Sequence, residues 1–452
     1  MMKISTLILA AGKGTRMKSK LLKVLHPLAG KPMVWHPINQ VAQLSDQKPV
    51  VVIGYQADAV KQTLGDLAKY AVQEEQLGTG HAVMQAEPLL AGKSDLVLVL
   101  FGDMPLVTAK TLSALIDKQK NNPGPVSMLT VTADDPRGFG RILRNDLGEV
   151  EAIVEEVDCT PEQREITELN ISMYCFQADW LWEHLPQIPI SAKGEYYLTD
   201  IIAIARQQGL PVQAEVIPDP LEAMGINTRV HLAEAETILR QRINRQWMLD
   251  GVTIIDPSST YIETSVTLGQ DTVIFPNTTL QGETHIGTDC QIGPNTTVID
   301  TAIGNQCRVF SSVLERAVLK NNVDIGPFGH LRSGAHLSDG VHMGNFGEVK
   351  NATLGPGAKM GHFSYIGDAT IGKDVNIGAG TITCNYDGKN KNHTVIEDGV
   401  FIGSDTMLIA PLTIKEGAHT GAGSVVNKDV EKNTVVVGAP ARSIRKLDNK
   451  GE

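Results

Sequence analysis

The sequence predicts a two-part fold: a mostly parallel, Rossmann-like α/β sheet, then one linking helix and a parallel β-helix of hexapeptide repeats. Short β-branched runs such as Val50–Ile53 and Leu96–Phe101 lack polar alternation, which is typical of strands buried on both faces of a sheet. Beyond residue 251, aliphatic residues recur every six positions, which is the period of a β-helix. Between the two parts, apolar residues at helical spacing predict the single linking helix.

The length of 452 residues is about three times that of a usual single domain, so we expect several folded units. The change of period predicts a first domain at residues 1–228, a linking helix at 229–251 and the β-helix domain at 252–452. Asn227-Thr228 can cap the helix, and Gly251 can end it. Its apolar face consists of five residues at helical spacing: Leu232, Ala235, Leu239, Ile243 and Trp247.

The β-helix prediction depends on a regular series of inward-facing aliphatic residues. Each repeat forms one side of a three-sided prism, so about 18 residues complete a coil. The six-residue period is interrupted at residues 384–401, and we expect the insertion at 384–391 to loop out of the prism and carry function. The series consists of Ile286, Ile292, Val298, Ile303, Val309, Ile325, Leu331, Leu337, Met343, Val349, Leu354, Met360, Ile366, Ile371, Ile377, Ile402, Leu408 and Ile414.

Composition and charge exclude several classes of protein. The net charge of −11 argues against nucleic acid or an anionic membrane as partners. The 43 glycines beside 5% aromatic residues indicate many tight turns around an aliphatic core. The five cysteines are odd in number and widely spaced, which argues against a disulfide framework. The apolar run at residues 4–11 reads as a first strand rather than a signal peptide, so we expect a cytoplasmic protein.

The first strand runs into a Gly- and Lys-rich loop at residues 9–17, with Lys23 shortly after it. Backbone N–H groups of such a loop can hold a phosphate, and Arg16 and Lys23 can neutralise its charge. The pattern is neither a Walker loop nor a dinucleotide fingerprint. Asp103 directly follows a buried apolar run, where a carboxylate needs a cation, and we expect it to bind Mg²⁺.

With these motifs, the first half resembles the sugar-nucleotide pyrophosphorylases, a nucleotidyltransferase family. The segment Gln73-Glu74-Glu75-Gln76-Leu77-Gly78-Thr79-Gly80 looks like the uracil-reading segment of that family. The resemblance implies Arg16 and Lys23 as catalytic residues and Asp103 with Asn227 as Mg²⁺ ligands. It implies UTP and sugar contacts from Leu9, Ala11, Gly12, Lys23, Gln73, Gln76, Gly78, Thr79, Gly140, Glu155, Asn170 and Asn227.

The second half resembles a narrower family, the bifunctional N-acetylglucosamine-1-phosphate uridylyltransferases and glucosamine-1-phosphate acetyltransferases of bacterial cell-wall precursor synthesis. The segments that carry this resemblance include Gly344–Lys350, Gly361–Asp368 and Asn385–Gly388. It implies His362 as the general base, and a histidine, with its ordinary pKa of about 6.5, suits that task. Sugar-phosphate contacts would come from Arg332, Lys350, Tyr365, Asn376 and Lys391, and acetyl-CoA contacts from Asn385, Tyr386, Ser404, Ala422 and Arg442.

The implied reaction sequence has two steps. Acetyl transfer from acetyl-CoA to glucosamine-1-phosphate is followed by uridylyl transfer from UTP to N-acetylglucosamine-1-phosphate, with release of pyrophosphate. The family also implies a left-handed coil and a homotrimer formed through the β-helix. Because an outer prism face is shallow, we expect the acetyltransferase site to lie between subunits, with Arg332 and Lys350 opposite a partner's coenzyme A groups.

The chain departs from the family pattern at three places in the first half. Leu22 stands where relatives usually have proline, Val157 replaces a frequent lysine, and Ile171-Ser172 lacks the glycine that usually ends that motif. These departures concern the sugar pocket more than the metal site. In the tail, residues 437–445 resemble the ending common among hexapeptide acyltransferases, whereas several members of the bifunctional family end differently. The coenzyme A contact of Arg442 therefore depends on the wider resemblance.

Two alternatives remain open from the sequence. The first is a single-activity nucleotidyltransferase with a non-catalytic β-helix scaffold, which would not need the looped insertion. The second is a β-helix metalloenzyme that uses His330, His336 and His342, which also repeat at six. Steps of six place these histidines on three different prism sides, so one subunit cannot bring them to one ion.

Overall fold

The computed structural model of this chain describes residues 2–447. The chain divides into two compact units, with the division between Leu239 and Arg240. The first unit is α/β and the second is a parallel β-helix, as the sequence predicts.

The first unit is built on one sheet, whose main path is parallel except for its third strand. That strand runs antiparallel to both neighbours. The path has the order Val212–Val216, Val126–Thr132, Glu168–Gln177, Leu96–Phe101, Ile4–Leu9, Val50–Ile53, Lys69–Val72. Further strands are Gly140–Arg144 and Val150–Val154, which extend this sheet, and the separate pair Pro27–Leu28 and Lys31–Pro32.

Helices cover the sheet, and its central strands are buried on both faces. Alternate residues of the strand Ile4–Leu9 enter two different core clusters, one with Ile8 and one with Leu7. This two-sided burial explains the unbroken apolar runs in the sequence. The α-helices are Trp35–Ala42, Ala57–Leu64, Thr79–Met84, Glu87–Leu90, Ala109–Lys120, Pro161–Arg164, Ala178–His184, Ile201–Gln207 and Arg229–Leu249.

The last of these helices is the one that the apolar spacing predicts. Thr228 Oγ1 accepts a hydrogen bond of 3.2 Å from the backbone N–H of His231, so Thr228 caps the helix and Asn227 is free for other contacts. Gly251 follows the helix with φ +93°, a conformation that favours glycine. The division between the two compact units falls inside this helix.

In the second unit, short parallel strands stack coil upon coil, and the final strand, Ala441–Lys446, pairs antiparallel with Thr434–Gly438. Paired residues are 16 to 18 apart in sequence, as in Thr297↔Val313 and Thr279↔Thr297. One coil is longer, because Asn376 pairs with Phe401, 25 residues later. The extra residues form the insertion that the interrupted six-residue period predicts.

The strands form two sheets. The first is ordered Thr253–Ile254, Val273–Ile274, Gln291–Ile292, Arg308–Val309, Asp324–Ile325, His342–Asn345, Lys359–His362, Asn376–Ile377, Phe401–Ile402, His419–Thr420, Thr434–Gly438, Ala441–Lys446. The second contains Tyr261–Ile262, Thr267–Leu268, Thr279–Gln281, His285–Ile286, Thr297–Ile299, Ala302–Ile303, Val313–Glu315, Val318–Leu319, His330–Leu331, His336–Leu337, Glu348–Leu354, Tyr365–Ile371, Ile382–Cys384, Thr394–Ile396, Met407–Ile409, Leu412–Ile414 and Val425–Val426.

The interior of the β-helix confirms the six-residue period. Every aliphatic residue of the predicted series is buried, and together they form one continuous core. Each coil adds one layer of Ile, Leu, Val or Met, so the core is closed only by the coils above and below it.

The five cysteines are free thiols. None of the helices within residues 2–447 combines the length and the apolar character that a membrane span requires.

Candidate active sites

The Gly-rich loop brings Lys23 close to the end of the first strand. Gly14 has φ +61°, and a Cβ atom placed on it would lie 2.4 Å from Cβ of Lys23. Only glycine therefore allows the loop and Lys23 to approach so closely. Lys23 itself begins the one-turn 3-10 helix Lys23–Leu25.

Two oxygen atoms from distant parts of the chain converge on the ammonium group of Lys23. Its Nζ lies 2.5 Å from Oδ2 of Asp103 and 3.2 Å from Oδ1 of Asn227. Arg16 Nη2 donates to the same Oδ1 at 2.9 Å. The backbone N–H of Ile226 donates to the carbonyl oxygen of Asp103 at 2.9 Å, which ties the two segments together. A carboxylate and an amide oxygen thus share one cation.

Leu22 keeps the backbone path that a proline would have there. Its φ is −59°, within the range that a proline ring imposes. The departure from the family pattern therefore changes the side chain, which is buried, and not the course of the loop.

A cavity of about 320 Å³ lies beside this cluster at the carboxyl ends of the central strands. Ligands of open α/β sheets bind at this edge. Most of the residues expected to bind UTP line it: Leu9, Ala11, Gly12, Lys23, Gln73, Gln76, Gly78 and Thr79, together with Asp103. Arg16 and Asn227 do not line the cavity and reach the cluster through hydrogen bonds.

Gln73 is fixed in this cavity by its amide nitrogen. Nε2 donates to the carbonyl oxygen of Gly78 at 3.1 Å and lies 3.1 Å from Nδ1 of His81. Because the nitrogen is occupied, the amide oxygen is left as the acceptor. An acceptor at this place suits the N–H of a uracil ring.

A second cavity, of about 280 Å³, shares Thr79, Phe101 and Tyr197 with the first. Glu155 lines it, and Thr199 Oγ1 donates to its Oε1 at 3.0 Å. Burial raises the pKa of the Glu155 carboxyl above its usual value. The two cavities therefore adjoin, and the second carries a partly buried acceptor.

Gly140 and Asn170 lie opposite each other on paired strands, but neither lines this second cavity. Asn170 is buried, and its Nδ2 donates to Tyr174 Oη at 2.9 Å. Ser172, where the family pattern has glycine, adopts φ +59°. This is the left-handed region that favours glycine, so serine is held there at a cost in backbone strain.

In the β-helix, three cations meet on one prism face. Arg332, Lys350 and Lys391 are neighbours, with Glu348 as the carboxylate that accepts from Arg332 Nη1 at 2.9 Å. The charge of Arg332, and then Lys391, lowers the pKa of the Lys350 ammonium. This excess of positive charge is suited to a phosphate ester.

Beside the cations, one buried carboxylate organises two asparagines. Asp368 is 8% exposed and accepts hydrogen bonds from Asn351 Nδ2 at 2.6 Å and Asn385 Nδ2 at 2.5 Å. Burial raises the pKa of Asp368, but these bonds and the charges of Lys391 and Lys350 outweigh it, so the pKa is lowered. Sequence reasoning gave Asp368 no role. The 17-residue spacing of Asn351, Asp368 and Asn385 is the signal that could have found it.

Tyr365 and Asn385 meet over Gly367. A Cβ atom on Gly367 would lie 2.3 Å from Tyr365 Oη and 2.9 Å from Asn385 Nδ2. A side chain at position 367 would therefore displace at least one of these two groups. The next residue, Tyr386, is 63% exposed on the insertion, and its Oη donates to the carbonyl oxygen of Gly388 at 2.8 Å. Asn376 begins a strand on the neighbouring ladder.

A different set of candidates lies along one corner of the prism. His362 and Asn345 are directly paired on neighbouring coils. The corner continues through Ala379, Ser404 and Ala422, because Gly380, Asp405 and Gly423 donate backbone N–H bonds to His362, Ala379 and Ser404. His362, Ser404 and Ala422 are therefore stacked on one edge and are all exposed.

Arg442 and the group of three cations are not part of this corner. Arg442 is on the terminal strand and is exposed, with Nη1 donating to the carbonyl oxygen of Ala441. No hydrogen bond among residues 2–447 joins His362 to Arg332, Lys350 or Lys391.

The three histidines at a spacing of six are separated. His330, His336 and His342 pair with Val313, Val318 and Asp324, respectively, on three different ladders. Within the described chain, no three His, Cys, Asp or Glu side chains are grouped as metal ligands.

The chain is similar to known proteins along nearly its whole length. A family model described as nucleotidyl transferase matches residues 5–219, and one described as hexapeptide repeat of succinyl-transferase matches residues 393–428. A protein of Geobacillus sp. strain WCH70 named "Bifunctional protein GlmU" is 50% identical over 447 residues, covering 99% of this chain and 97% of the relative.

Relatives of the same name occur in other bacteria. The one from Heliobacterium modesticaldum is 49% identical and covers 97% of this chain and 96% of the relative. The one from Enterococcus faecalis is 48% identical with the same coverage. Identity at this level over both halves confirms the family that the motifs indicated. The chain therefore belongs to the bifunctional uridylyltransferase and acetyltransferase family, whose curated members carry the name bifunctional protein GlmU.

Proposed function

We propose that this chain makes UDP-N-acetylglucosamine, using its β-helix for acetyl transfer and its α/β unit for uridylyl transfer. The observation that carries the proposal is the presence of two separate groups of cations, each suited to binding a phosphate. Lys23 and Arg16 meet Asp103 and Asn227 in one unit. Arg332, Lys350 and Lys391 form the other group in the β-helix. A single-activity enzyme with a passive scaffold would have no need of the second group.

In the acetyl transfer, the β-helix cations bind the phosphate of glucosamine-1-phosphate. The amine nitrogen attacks the thioester carbonyl of acetyl-CoA, the C–N bond forms and the C–S bond breaks. His362 accepts the proton that the amine loses, and coenzyme A leaves as a thiolate that is then protonated. Tyr365, Asn376 and Asn385 hold the sugar and the acetyl group, and Tyr386, Ser404, Ala422 and Arg442 contact coenzyme A.

In the uridylyl transfer, Gln73, Gln76, Gly78 and Thr79 bind the uridine, and the loop from Leu9 to Gly12 lies along the phosphates. Gly140, Glu155, Asn170 and Asn227 bind N-acetylglucosamine-1-phosphate. Its phosphate oxygen attacks the α-phosphorus of UTP, and pyrophosphate leaves on the opposite side. Arg16 and Lys23 stabilise the charge that develops, and no protein nucleophile is required.

Asp103 and Asn227 would hold Mg²⁺. Their oxygens already share one cation, the Lys23 ammonium, at 2.5 and 3.2 Å, and carboxylate and amide oxygens are suitable ligands for Mg²⁺. Bound there, the ion would supply charge stabilisation to the transferring phosphoryl group. Lys23 would then exchange Asp103 for a phosphate oxygen, which needs only a rotation of its flexible side chain.

A left-handed coil and a homotrimer with shared acetyltransferase sites are part of this proposal. Within residues 2–447, no hydrogen bond joins His362, Ser404 or Ala422 to Arg332, Lys350 or Lys391, which supports a site completed by a neighbour. The domains at 1–228 and 252–452, with the helix at 229–251, would then each carry one activity. The cytoplasm, which supplies UTP and acetyl-CoA, is the proposed compartment.

A coupled assay tests the proposal. Purified protein is incubated with glucosamine-1-phosphate, acetyl-CoA, UTP and Mg²⁺, and free thiol and pyrophosphate are measured separately. We expect both products, and we expect that removing Mg²⁺ stops pyrophosphate release while thiol release continues. Two results would contradict the bifunctional assignment. One is thiol release with no pyrophosphate release, even when N-acetylglucosamine-1-phosphate is supplied. The other is pyrophosphate release with no thiol release.

A further inference from the structure

On the basis of the proposed acetyl transfer, in which His362 is the general base, this histidine has a side-chain partner that none of the roles above includes. His362 and Asn345 are paired on neighbouring coils, and Asn345 Oδ1 is in hydrogen-bond contact with His362 Nδ1. The two coils share a local pattern of Met-Gly, one polar residue and Phe, in Met343-Gly344-Asn345-Phe346 and Met360-Gly361-His362-Phe363. The histidine therefore has an asparagine at the equivalent corner of the coil before it.

The corner is rigid, which keeps this contact in place. Phe346 and Phe363 both have positive φ, and their rings stack with centroids 5.0 Å apart. A Cβ atom on Gly344 would lie 1.9 Å from the carbonyl oxygen of Gly361, so the two neighbouring coils approach more closely than a residue with a side chain at position 344 allows. His362 itself is exposed, and without a partner its ring would rotate freely.

We propose that Asn345 is a positioning residue that selects the catalytic tautomer of His362. An amide oxygen can only accept, so Nδ1 must carry the hydrogen and Nε2 keeps the free electron pair. Nε2 is then the atom that takes the proton from the attacking amine. Because asparagine is neutral, it orients the ring without adding a charge to it.

Kinetics of Asn345 variants test this role. We expect Asn345→Ala to lower kcat of acetyl transfer by about tenfold to a hundredfold, as loss of a histidine's supporting hydrogen bond does elsewhere. KM for both substrates and uridylyl transfer should stay within about twofold, since the partner acts only on the proton transfer. Asn321→Ala is the matched control, because Asn321 also bridges two coils, through Nδ2 to Asp339 Oδ1 at 3.0 Å.

A pH profile separates this role from a merely structural one. A carboxylate beside an imidazole raises the imidazole pKa, so Asn345→Asp should move the acidic limb of kcat to higher pH while activity at alkaline pH is retained. Asn345→Ala combined with His362→Ala should be no slower than His362→Ala alone. An unchanged kcat in Asn345→Ala, an unmoved limb in Asn345→Asp, or additive losses in the double variant would overturn the proposal. Asn345→Asp is close to isosteric, so it decides the question even where alanine disturbs the corner.

A separate observation concerns the second cavity of the α/β unit. Among the residues that line it, Lys193 is the one basic side chain and Glu155 the one acidic side chain. Lys193 lies at the tip of a tight loop, in which Ser191 N–H donates to Glu195 O and Gly194 N–H to Ser191 O, both at 2.9 Å. No ion pair of Lys193 is found in the part of the chain that the structure describes.

The base of this loop is fixed to the nucleotide-binding segment. Gly80 N–H donates to Tyr196 O, and Tyr196 N–H donates to Leu77 O, each at 2.8 Å. The loop therefore holds Lys193 at the cavity that adjoins the nucleotide, where the acceptor's phosphate must approach. Val157 lines the same cavity and is 65% exposed, so a lysine there would face the same space.

On the basis of the proposed uridylyl transfer, we infer that Lys193 binds the phosphate of the sugar-phosphate acceptor. Lys193→Ala should raise KM for N-acetylglucosamine-1-phosphate about five- to tenfold, the effect of one partly exposed charged contact. KM for UTP should not change. Lys61→Ala, at another exposed lysine of the same unit, is the control, and it should leave both KM values unchanged.

A second-site variant makes this test specific. Val157→Lys introduced into Lys193→Ala should restore KM for N-acetylglucosamine-1-phosphate, whereas Val157→Ala in the same background should not. A normal acceptor KM in Lys193→Ala, an equal rise in KM for UTP, or no rescue by Val157→Lys would overturn the assignment of Lys193. Absence of uridylyl transfer in the wild-type protein would instead contradict the proposed function, so the two failures are distinguishable.

Discussion

The two candidate sites differ in how complete they are within one chain. In the α/β unit, Lys23 is already paired with Asp103 and Asn227, and two adjoining cavities are formed by this one chain. In the β-helix, three cations crowd on one face, and His362 is exposed on a corner with no hydrogen bond to them among residues 2–447. An α/β sheet forms a cleft at its own edge, whereas a prism has only shallow faces, so a β-helix needs a neighbour to enclose a ligand.

The largest expected effect comes from removing the carboxylate of the first site. Asp103→Ala should lower uridylyl transfer by more than about a thousandfold, because the transferring phosphoryl group would lose the charge stabilisation of the Mg²⁺ that Asp103 is proposed to hold. Acetyl transfer should remain near the wild-type rate, as measured by thiol release. Asp117→Ala, which removes an exposed helical carboxylate, is the control. Equal loss of both activities in a folded Asp103 variant would show that the two sites are not independent.

His362→Ala should have the opposite selectivity. Acetyl transfer should fall by about 10² to 10⁴-fold, the usual contribution of a general base, while uridylyl transfer is unchanged. His336→Ala, on a different ladder of the same β-helix, should leave both activities unchanged. Near-normal thiol release from His362→Ala would remove this histidine from the mechanism.

The crowding of cations in the β-helix predicts a pH dependence. Arg332 and Lys391 lower the pKa of Lys350, so its charge is present below that lowered pKa and is lost as the pH rises through it. KM for glucosamine-1-phosphate should therefore rise by about tenfold at alkaline pH, beginning below the pH where an ordinary lysine titrates. In Lys350→Arg, whose guanidinium stays charged, the rise should disappear. An equal rise of this KM in the wild-type protein and in Lys350→Arg would mean that titration of the substrate amine, and not of Lys350, causes the rise.

The smallest effect is expected at Leu22. Leu22→Pro fits the observed φ of −59°. Because proline restricts the unfolded chain, it should add about 0.4–1 kcal/mol to the free energy of unfolding. This gain nearly offsets the stability lost with about one buried methylene. Uridylyl transfer should stay within about twofold, and the melting temperature within a few degrees. A large loss of activity would show that the leucine side chain, and not the backbone path, shapes the loop.

The sequence predicted architecture well, because architecture depends on local period. The unbroken run Leu96–Phe101 and the six-residue series from Ile286 to Ile414 follow directly from burial on both faces of a sheet and on the inside of a prism. The insertion could be found because it breaks that period, and the structure shows it as a coil with 25-residue steps, such as that between Asn376 and Phe401.

The contacts within the sites could not be predicted in the same way. Lys23 and Asn227 are 204 residues apart, and nothing in their local sequence indicates that they share a hydrogen bond. The roles of single residues came from resemblance, which gives an expected set but no geometry. Asp368 and its partner Asn351 were missed because a buried carboxylate on a prism face looks, in sequence, like any exposed turn residue.

Subunit mixing tests most directly whether the acetyltransferase site is completed by a neighbour. Lys350→Ala and Ser404→Trp alter the two groups that one chain leaves apart, and each variant alone should be inactive in acetyl transfer. The two proteins are dissociated, mixed in equal amounts and reassembled, with exchange verified by differently tagged chains. If each site takes its phosphate-binding face from one subunit and its coenzyme A corner from the next, roughly a quarter of the sites are intact in a random assembly. Recovery of about that fraction of wild-type thiol release is the predicted result, and no recovery despite verified exchange would contradict the account.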